Sequence, residues 1–513
     1  THCEIKRFED AKQKTIEQLE KIYQKALIEV GETNAQIFEI HIMMLEDEDY
    51  NQSVYSIIEN QKVNAEYAVA VTSDNFSAMF SVMDNGYMQA RAIDVKDISD
   101  RILSNLCGKE NTITKKNDII LCAEDLTPSE TVSMEKDDIK AFITAFGSSN
   151  SHTAILARNM NIPAIIGVGT EFLNQINEGD EVIVDGFTGI IYLSPDEKTK
   201  ADLSNKQQEE KEKRRLLEEL RGKENISIDG TKINLYANIG SVDNIGAVLL
   251  HDAGGIGLFR SEFIYLENNN YPSEEQQFSI YKKVLESLPD KKVIIRTLDI
   301  GADKQVDYFN LKKEENPALG FRAIRICLAR PEIFKTQLRA LYRASAFGHL
   351  GIMFPMITDV QELKKIQAIC NQVQDELKAE GIHFSSDVEL GIMIETPAAA
   401  IISDKLAPMV DFFSVGTNDL TQYTLACDRQ NPDIEPFCNT HHEALLRLIE
   451  FSAQNAHKHG KWIGICGELA ADTSLTETFL RMGIDELSVS PSFILNLRDV
   501  IRKIDLRKNN PMT

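Results

Sequence analysis

Positive charge is in short supply in this chain: 55 lysines and arginines face 79 aspartates and glutamates, for a formal net charge of −24. That deficit argues against a nucleic-acid binder, which carries a basic patch or stripe, and against docking on an anionic membrane surface. It is compatible with a basic protein partner. Paired thiols are missing as well. Cys3, Cys107, Cys122, Cys327, Cys370, Cys427, Cys438 and Cys466 are scattered without CxxC spacing. That pattern indicates neither a zinc site nor a redox dithiol and suits a reducing cytoplasm. No apolar run is long enough to span a bilayer, and no signal peptide is seen. Gly254-Gly-Ile-Gly257 lacks the Lys-Ser/Thr of a phosphate-binding P-loop and reads as a close approach of strand and helix. Proline is absent from Glu4 to Leu106.

What is present falls into segments of different texture. The proline-free stretch repeats its apolar residues at helical spacing, as from Ala11 to Val30, and residues 1–108 read as a helical bundle. Its acidic cluster Glu46-Asp-Glu-Asp49 is expected to be a solvated loop. Residues 109–194 carry short β-rich runs bounded by Gly, Pro, Asn and Asp: Asp118–Ala123, Ala141–Ala145, Ala164–Val168, Glu181–Asp185 and Gly189–Leu193. They predict a small α/β domain. Residues 195–224 are highly charged with few large apolar side chains. They read as an exposed helical linker reaching about 40 Å, able to hold two domains at variable separation. From 225 to 513, eight β runs alternate with amphipathic helical pattern: Ile233–Ile239, Gly255–Phe259, Val293–Leu298, Gly351–Pro355, Gly391–Ile394, Phe412–Val415, Trp462–Cys466 and Glu486–Val489. That count matches a (β/α)8 TIM barrel, with an open doubly wound sheet as the alternative. The fold class is multidomain α and α/β.

Chemistry is suggested at two places. His152 sits in Gly147-Ser-Ser-Asn-Ser-His-Thr-Ala-Ile-Leu-Ala-Arg158. Asn150 and Ser151 are good N-caps, and Thr153 to Arg158 read as helix. A helix N-terminus offers unpaired N–H groups to a phosphoryl group, so His152 is a candidate phosphorylated nucleophile; a capping or packing histidine is the plainer alternative. The second place is the row of barrel strand C-termini, where barrel active sites lie. These ends carry Asn238, Arg260, Arg296, Glu395, Asn418-Asp419 and Cys466, with Arg322 and Arg429 in the following loops. Guanidinium groups bind phosphate and carboxylate as rigid forks, and Glu395 with Asp419 can share a hard cation such as Mg²⁺. The substrate expected there is a small polyanion carrying phosphate. Taken singly, each arginine reads as a solvated or salt-bridged rim residue and Cys466 as a small buried apolar group.

His152 with its flanks, Arg260, Arg296, Glu395-Thr-Pro397, Phe413-Ser-Val-Gly-Thr-Asn-Asp-Leu-Thr-Gln-Tyr423 and Gly464-Ile-Cys-Gly-Glu468 resemble the phosphoenolpyruvate-utilising enzymes. Within these the resemblance is to the Enzyme I branch of the bacterial sugar phosphotransferase system, and it extends to His41-Ile-Met-Met-Leu-Glu-Asp-Glu in the helical region. It implies that His152 takes phosphate from phosphoenolpyruvate and gives it to the carrier protein HPr, releasing pyruvate. Arg260 and Arg296 would hold the phosphate, Arg429 and Asn418 the carboxylate, with Arg322 assisting. Glu395 and Asp419 would bind Mg²⁺, and Cys466 would protonate the enolpyruvate. Residues 1–108 would dock HPr, 109–194 would be a swivelling phosphohistidine domain, and 225–513 would bind substrate and form a homodimer, in the cytoplasm. The histidine must visit both the barrel mouth and the carrier, so the linker and the junction near Cys107–Asp118 are expected to allow a rigid-body swivel.

Three departures accompany the likeness. Ser148, Ser149 and Asn150 replace the family's second glycine, charged residue and threonine. The family's glycine-rich opening strand, with Ser-Pro-Gly, is not seen, which would leave a sheet edge unpaired. The C-terminus is also shorter. Alternative readings are the nitrogen-related paralogue, a pyruvate-phosphate dikinase or phosphoenolpyruvate synthase, and a non-catalytic scaffold that senses phosphoenolpyruvate. The dikinase type needs a nucleotide-grasping domain ahead of its histidine, where this chain is mostly helical in pattern and has no glycine-rich phosphate loop.

Overall fold

Helices α1 (His2–Glu29), α2 (Glu32–Glu46), α3 (Glu48–Gln61), α4 (Ala65–Ser81) and α5 (Gly86–Leu106) make up the first hundred residues of the computed structural model. The model describes residues 1–29, 32–81, 86–108, 119–124, 126, 139–146, 157, 162–266, 268–301, 306–428, 431, 434 and 437–508. The apolar positions that repeat along these helices converge on one core of Phe8, Leu19, Phe38, Leu45, Val54, Ile58, Val69, Val95, Ile98 and Ile102. The bundle predicted from the sequence is therefore present. The acidic cluster is solvated as expected but is not a loop. It is a helix junction in which Asp47 caps α3, its Oδ1 accepting from the Tyr50 N–H at 3.0 Å. Buried polar groups in the bundle answer one another: His41 Nε2 lies 3.2 Å from Asp94, which also takes Arg91 at 2.8 Å.

The chain divides into two compact units, Thr1–Gln207 and Gln208–Thr513. In the first, strands β1 (Ile119–Ala123), β2 (Ile139–Thr144) and β3 (Ala164–Ile166) form a parallel sheet in the order 1-2-3. Among the described residues β1 and β3 are its edges. Strands β4 (Val182–Asp185) and β5 (Ile190–Leu193) pair antiparallel beside it in sequence. All five lie where the β-rich runs were read. The helix Glu197–Glu218 spans the division between the units and buries none of its residues. Such a helix has little packing to hold it and leans on ion pairs along its face. Arg215 meets Glu212 at 2.7 Å and Glu219 at 2.5 Å. Its first half is tied to the β4–β5 hairpin by Lys206 and Asp185, 2.7 Å apart.

The second unit is a closed barrel of eight parallel strands: β6 (Asn234–Ile239), β7 (Gly255–Arg260), β8 (Lys292–Arg296), β9 (His349–Phe354), β10 (Glu389–Ile394), β11 (Phe412–Val415), β12 (Trp462–Ile465) and β13 (Glu486–Val489). They pair in sequence order, with β13 closing onto β6. Near-continuous apolar strands such as Val293-Ile-Ile295 fit a parallel sheet covered on both faces. One face packs against the surrounding helices. The other fills the lumen with Leu258, Ile294, Met353, Met393, Phe412 and Cys466. At the strand N-termini Trp462 stacks on Phe412 with ring centroids 4.5 Å apart. The eight sequence-predicted strands are the eight observed, and the open-sheet alternative is excluded. Among the described residues no helix is long and apolar enough to cross a membrane.

Candidate active site at the barrel mouth

The strand C-termini bring a charged cluster together. Arg260 and Arg296 end β7 and β8 as direct cross-strand partners. Arg296 is buried, and its guanidinium meets Glu262 at 2.5 Å and Asp299 at 3.0 Å. Burial alone would draw its pKa down, but Asp299, Glu262 and Glu395 outweigh that and hold it above its ordinary range. The other oxygen of Asp299 takes Arg322 Nη2 at 2.9 Å, while Arg322 Nη1 donates to Asp419 at 3.3 Å and to the Tyr423 hydroxyl at 3.2 Å. One aspartate thus ties the two buried arginines to each other. Arg260 differs: it is half-buried and makes no hydrogen bond or ion pair among the described residues. The plain reading of a solvated or salt-bridged arginine takes its salt-bridged form at Arg296 and Arg322, while half-buried Arg260 makes no ion pair among the described residues.

The two candidate metal carboxylates come from neighbouring strands. Glu395 follows β10, and the next residues, Thr396 and Pro397, start a helix: the Thr396 hydroxyl accepts from the Ala399 N–H, and Pro occupies the first turn. This abrupt start fixes the direction of Glu395. Its Oε1 accepts from the Met356 N–H at 2.5 Å, from a backbone held at φ +60°. Asp419 lies in the first turn of the helix Thr417–Leu425, which begins directly after β11. Burial, then the charges of Asp419 and Asp299, push the Glu395 carboxyl up to about 8 against the pull of Arg296 and Arg322. Buried oxygens crowded in this way are a donor set that suits a hard divalent cation, which would offset their repulsion. Among the described residues no group of three or more His, Cys, Asp or Glu side chains is assembled for a metal. Glu395 and Asp419 are a pair, so the remaining ligands of a cation there would have to come from substrate or water.

Cys466 follows β12, the strand next to β11. It is buried, its N–H donates to Val415 O at 3.1 Å, and its carbonyl accepts from Asn238 Nδ2 at 2.9 Å. Burial pushes the thiol up to about 12, against the neighbouring Ser414 hydroxyl, which favours the thiolate. That shift favours the protonated thiol over the nucleophilic thiolate. Asn418 Oδ1 accepts from the Glu468 N–H at 3.1 Å. That bond pins the Cys466-Gly-Glu468 loop onto the turn after β11 and leaves the Asn418 amide hydrogens to donate elsewhere.

Of the residues singled out from the sequence, Arg260, Arg296, Arg322, Glu395, Asn418, Asp419 and Cys466 stand at one mouth. His152 and Arg429 lie outside the described residues, as does the expected helix start before His152. Within that stretch Ala157 is described, helical and buried. Glu262 and Asp299 were not singled out, although both stand near an arginine in sequence, in Arg260-Ser-Glu and Arg296-Thr-Leu-Asp. The missed signal is physical: an arginine placed inside a barrel needs a carboxylate partner.

Comparison with known proteins agrees along the chain. Residues 1–91, 115–189 and 214–506 match the family models described as the PEP-utilising enzyme N-terminal, mobile and PEP-binding domains. The phosphoenolpyruvate-protein phosphotransferase of Listeria monocytogenes is 42% identical over 511 residues, 98% of this chain and 88% of that protein. The protein of the same name from Bacillus subtilis is 42% identical over 506 residues, covering 98% and 89% of the two chains. That from Staphylococcus carnosus is 40% identical over 507 residues, covering 98% and 88%.

Proposed function

The chain belongs to the phosphoenolpyruvate-utilising enzymes, and from that premise we propose that the mouth described above passes the phosphoryl group of phosphoenolpyruvate to His152 and from there to HPr. The activity is that of a phosphoenolpyruvate–protein phosphotransferase, the first step of the sugar phosphotransferase system. The single observation carrying the reading is the convergence of Arg260, Arg296, Arg322, Glu395, Asp419 and Cys466 on one barrel mouth in a chain about 42% identical to proteins of that activity.

In this reading Arg260 and Arg296 grip the phosphate, Arg260 with a guanidinium that makes no ion pair among the described residues. Asn418 and Arg429 hold the substrate carboxylate, and Arg322 braces Asp299 and Asp419. Glu395 and Asp419 would hold Mg²⁺, which when bound supplies positive charge to the substrate's phosphate and carboxylate oxygens. Phosphoryl transfer needs positioning and charge neutralisation rather than covalent help from the barrel, and three arginines provide both. His152 must offer a neutral nitrogen as acceptor, which a free imidazole, titrating at about 6.5, does at cytoplasmic pH. The Cys466 thiol then delivers its proton to the enolpyruvate carbon, and pyruvate leaves.

The exposed helix Glu197–Glu218, without a buried residue, supports a swivel that carries His152 between the mouth and a carrier docked on the helical bundle. The barrel is the expected homodimer surface, and the cytoplasm the expected compartment. Incubation with phosphoenolpyruvate, Mg²⁺ and HPr should yield pyruvate and phosphorylated HPr, while ATP should label neither protein. Labelling by ATP would point instead to a dikinase.

A further inference from the structure

Glu486 is fully buried in the barrel lumen, and among the described residues neither carboxylate oxygen has a hydrogen-bond partner. The mechanism above does not use it. An unpaired buried carboxylate is costly, yet the surrounding strands are shaped to admit this one. Its cross-strand partner on β12 is Gly464, where a Cβ would stand 1.7 Å from Glu486 Oε2. On the other side a Cβ at Gly257 of β7 would stand 2.3 Å from Oε1. Gly464 is in turn the cross-strand partner of Ser414 on β11. Glu486 and Ser414 therefore flank one glycine, and the carboxyl fills the space its side chain would have taken. Ser414 neighbours the Cys466 thiol; the thiol itself points at Val415 O, 3.7 Å away, and the buried Ser414 Oγ has no hydrogen-bond partner among the described residues, so the hydroxyl is free to turn to either neighbour.

The remaining groups facing Glu486 do not neutralise it. From β8, Lys292 is engaged by both oxygens of Glu389, at 2.7 and 2.9 Å. From β13, the Ser488 hydroxyl spends its hydrogen on Asn238 Oδ1 at 2.6 Å. Tyr236 of β6 is itself pushed up by burial and by Glu486. Asp485, which precedes β13, and the Cys466 thiol of β12 add no positive charge. Burial accordingly pushes the Glu486 carboxyl up to about 8 against the pull of Lys292. It is a neutral acid at cytoplasmic pH, and a stronger one than the thiol above it.

We propose that Glu486 stores the proton that re-forms the Cys466 thiol after each turnover, passing it through the Ser414 hydroxyl with which it flanks Gly464. The inference rests on Cys466 being the proton donor. When the enolpyruvate carbon takes the Cys466 proton, a buried thiolate remains beside the Ser414 hydroxyl. Sulfur takes the Ser414 hydrogen, Ser414 oxygen takes the Glu486 hydrogen, and Glu486 becomes a carboxylate. Water at the strand N-termini, where Lys292 and Glu389 are partly exposed, returns one proton to Glu486. Supply then enters through the barrel floor, and the mouth can stay closed over substrate.

The test is pyruvate release by the full chain with phosphoenolpyruvate, Mg²⁺ and HPr, resolved into first and later turnovers. The thiol begins protonated, so Glu486→Gln should leave the first turnover unchanged and slow steady-state turnover by about tenfold or more with KM not raised. Ser414→Ala should give the same split. Equal slowing of both phases, or of neither, would overturn the proposal. Infrared spectra at neutral pH should contain a carboxylic-acid carbonyl band that Glu486→Gln removes; persistence of the whole band would mean that the group is ionised, and would also overturn it. Cys466→Ala serves as the reference: it should lose the first turnover, and if it does not, the assignment of the donor itself has failed.

Discussion

Glu395 lies over Gly416, its Oε2 2.8 Å from where a Cβ on that glycine would stand. The backbone of Gly416 is ordinary, with φ −87°, so space and not conformation requires glycine there. The missing side chain lets the β10 carboxylate lean across β11 towards Asp419. Gly416→Ala should displace Glu395, because Met393 Cε and Glu395 Cβ also stand within 3.0 Å of the new methyl. The expected result is an affinity for Mg²⁺ reduced about 10- to 100-fold, read by titrating turnover against Mg²⁺, with a stability loss of about 1–3 kcal/mol. Unchanged Mg²⁺ dependence would separate Glu395 from metal binding.

The arginines should divide by their partners. Arg260 makes no ion pair among the described residues, so Arg260→Ala should change stability by less than about 0.5 kcal/mol while raising KM for phosphoenolpyruvate. Arg296→Met removes an ion-pair partner from buried Glu262 and Asp299 and should cost about 3–5 kcal/mol. Adding Glu262→Met should recover part of that loss in denaturant unfolding. If Arg296→Met were as harmless as Arg260→Ala, the buried network would not be holding the mouth together.

Stability should also depend on pH through Glu486. Its pKa is raised in the folded chain to about 8, above the unfolded value. The stability it contributes is complete below the unfolded value and is lost as pH rises through the folded one. Between about pH 5 and 8 the native state keeps a proton that the unfolded chain releases, so unfolding free energy falls by about 1.4 kcal/mol per pH unit for that proton. Glu486→Gln cannot ionise. Thermal unfolding from pH 5 to 8 should show the variant gaining on the parent as pH rises; a constant difference would mean that Glu486 is charged in the native state.

Much of this was legible in the sequence, for identifiable reasons. A parallel barrel buries both faces of its strands, so each strand announces itself as a short apolar run, and a site at strand C-termini can be read from the polar or reactive residue within or just after the end of each run. That rule located Arg260, Arg296, Glu395 and Cys466. It could not reveal which charges cancel. Glu262 and Asp299 bind Arg296 across the mouth, and pairing of this kind depends on side-chain reach in three dimensions. Nor could it separate Glu486 from an ordinary strand residue, because its distinction lies in Gly257 and Gly464 on two other strands. The junction at Asp47 was misread because four acidic residues look like a loop until one of them caps a helix.

The account as a whole stands on His152. Intact-mass and peptide mass measurement after incubation with phosphoenolpyruvate and Mg²⁺ should find one added phosphoryl group, on His152, removed on adding HPr and absent from His152→Ala. An unmodified His152, or a phosphoryl group that survives its replacement by alanine, would contradict the account.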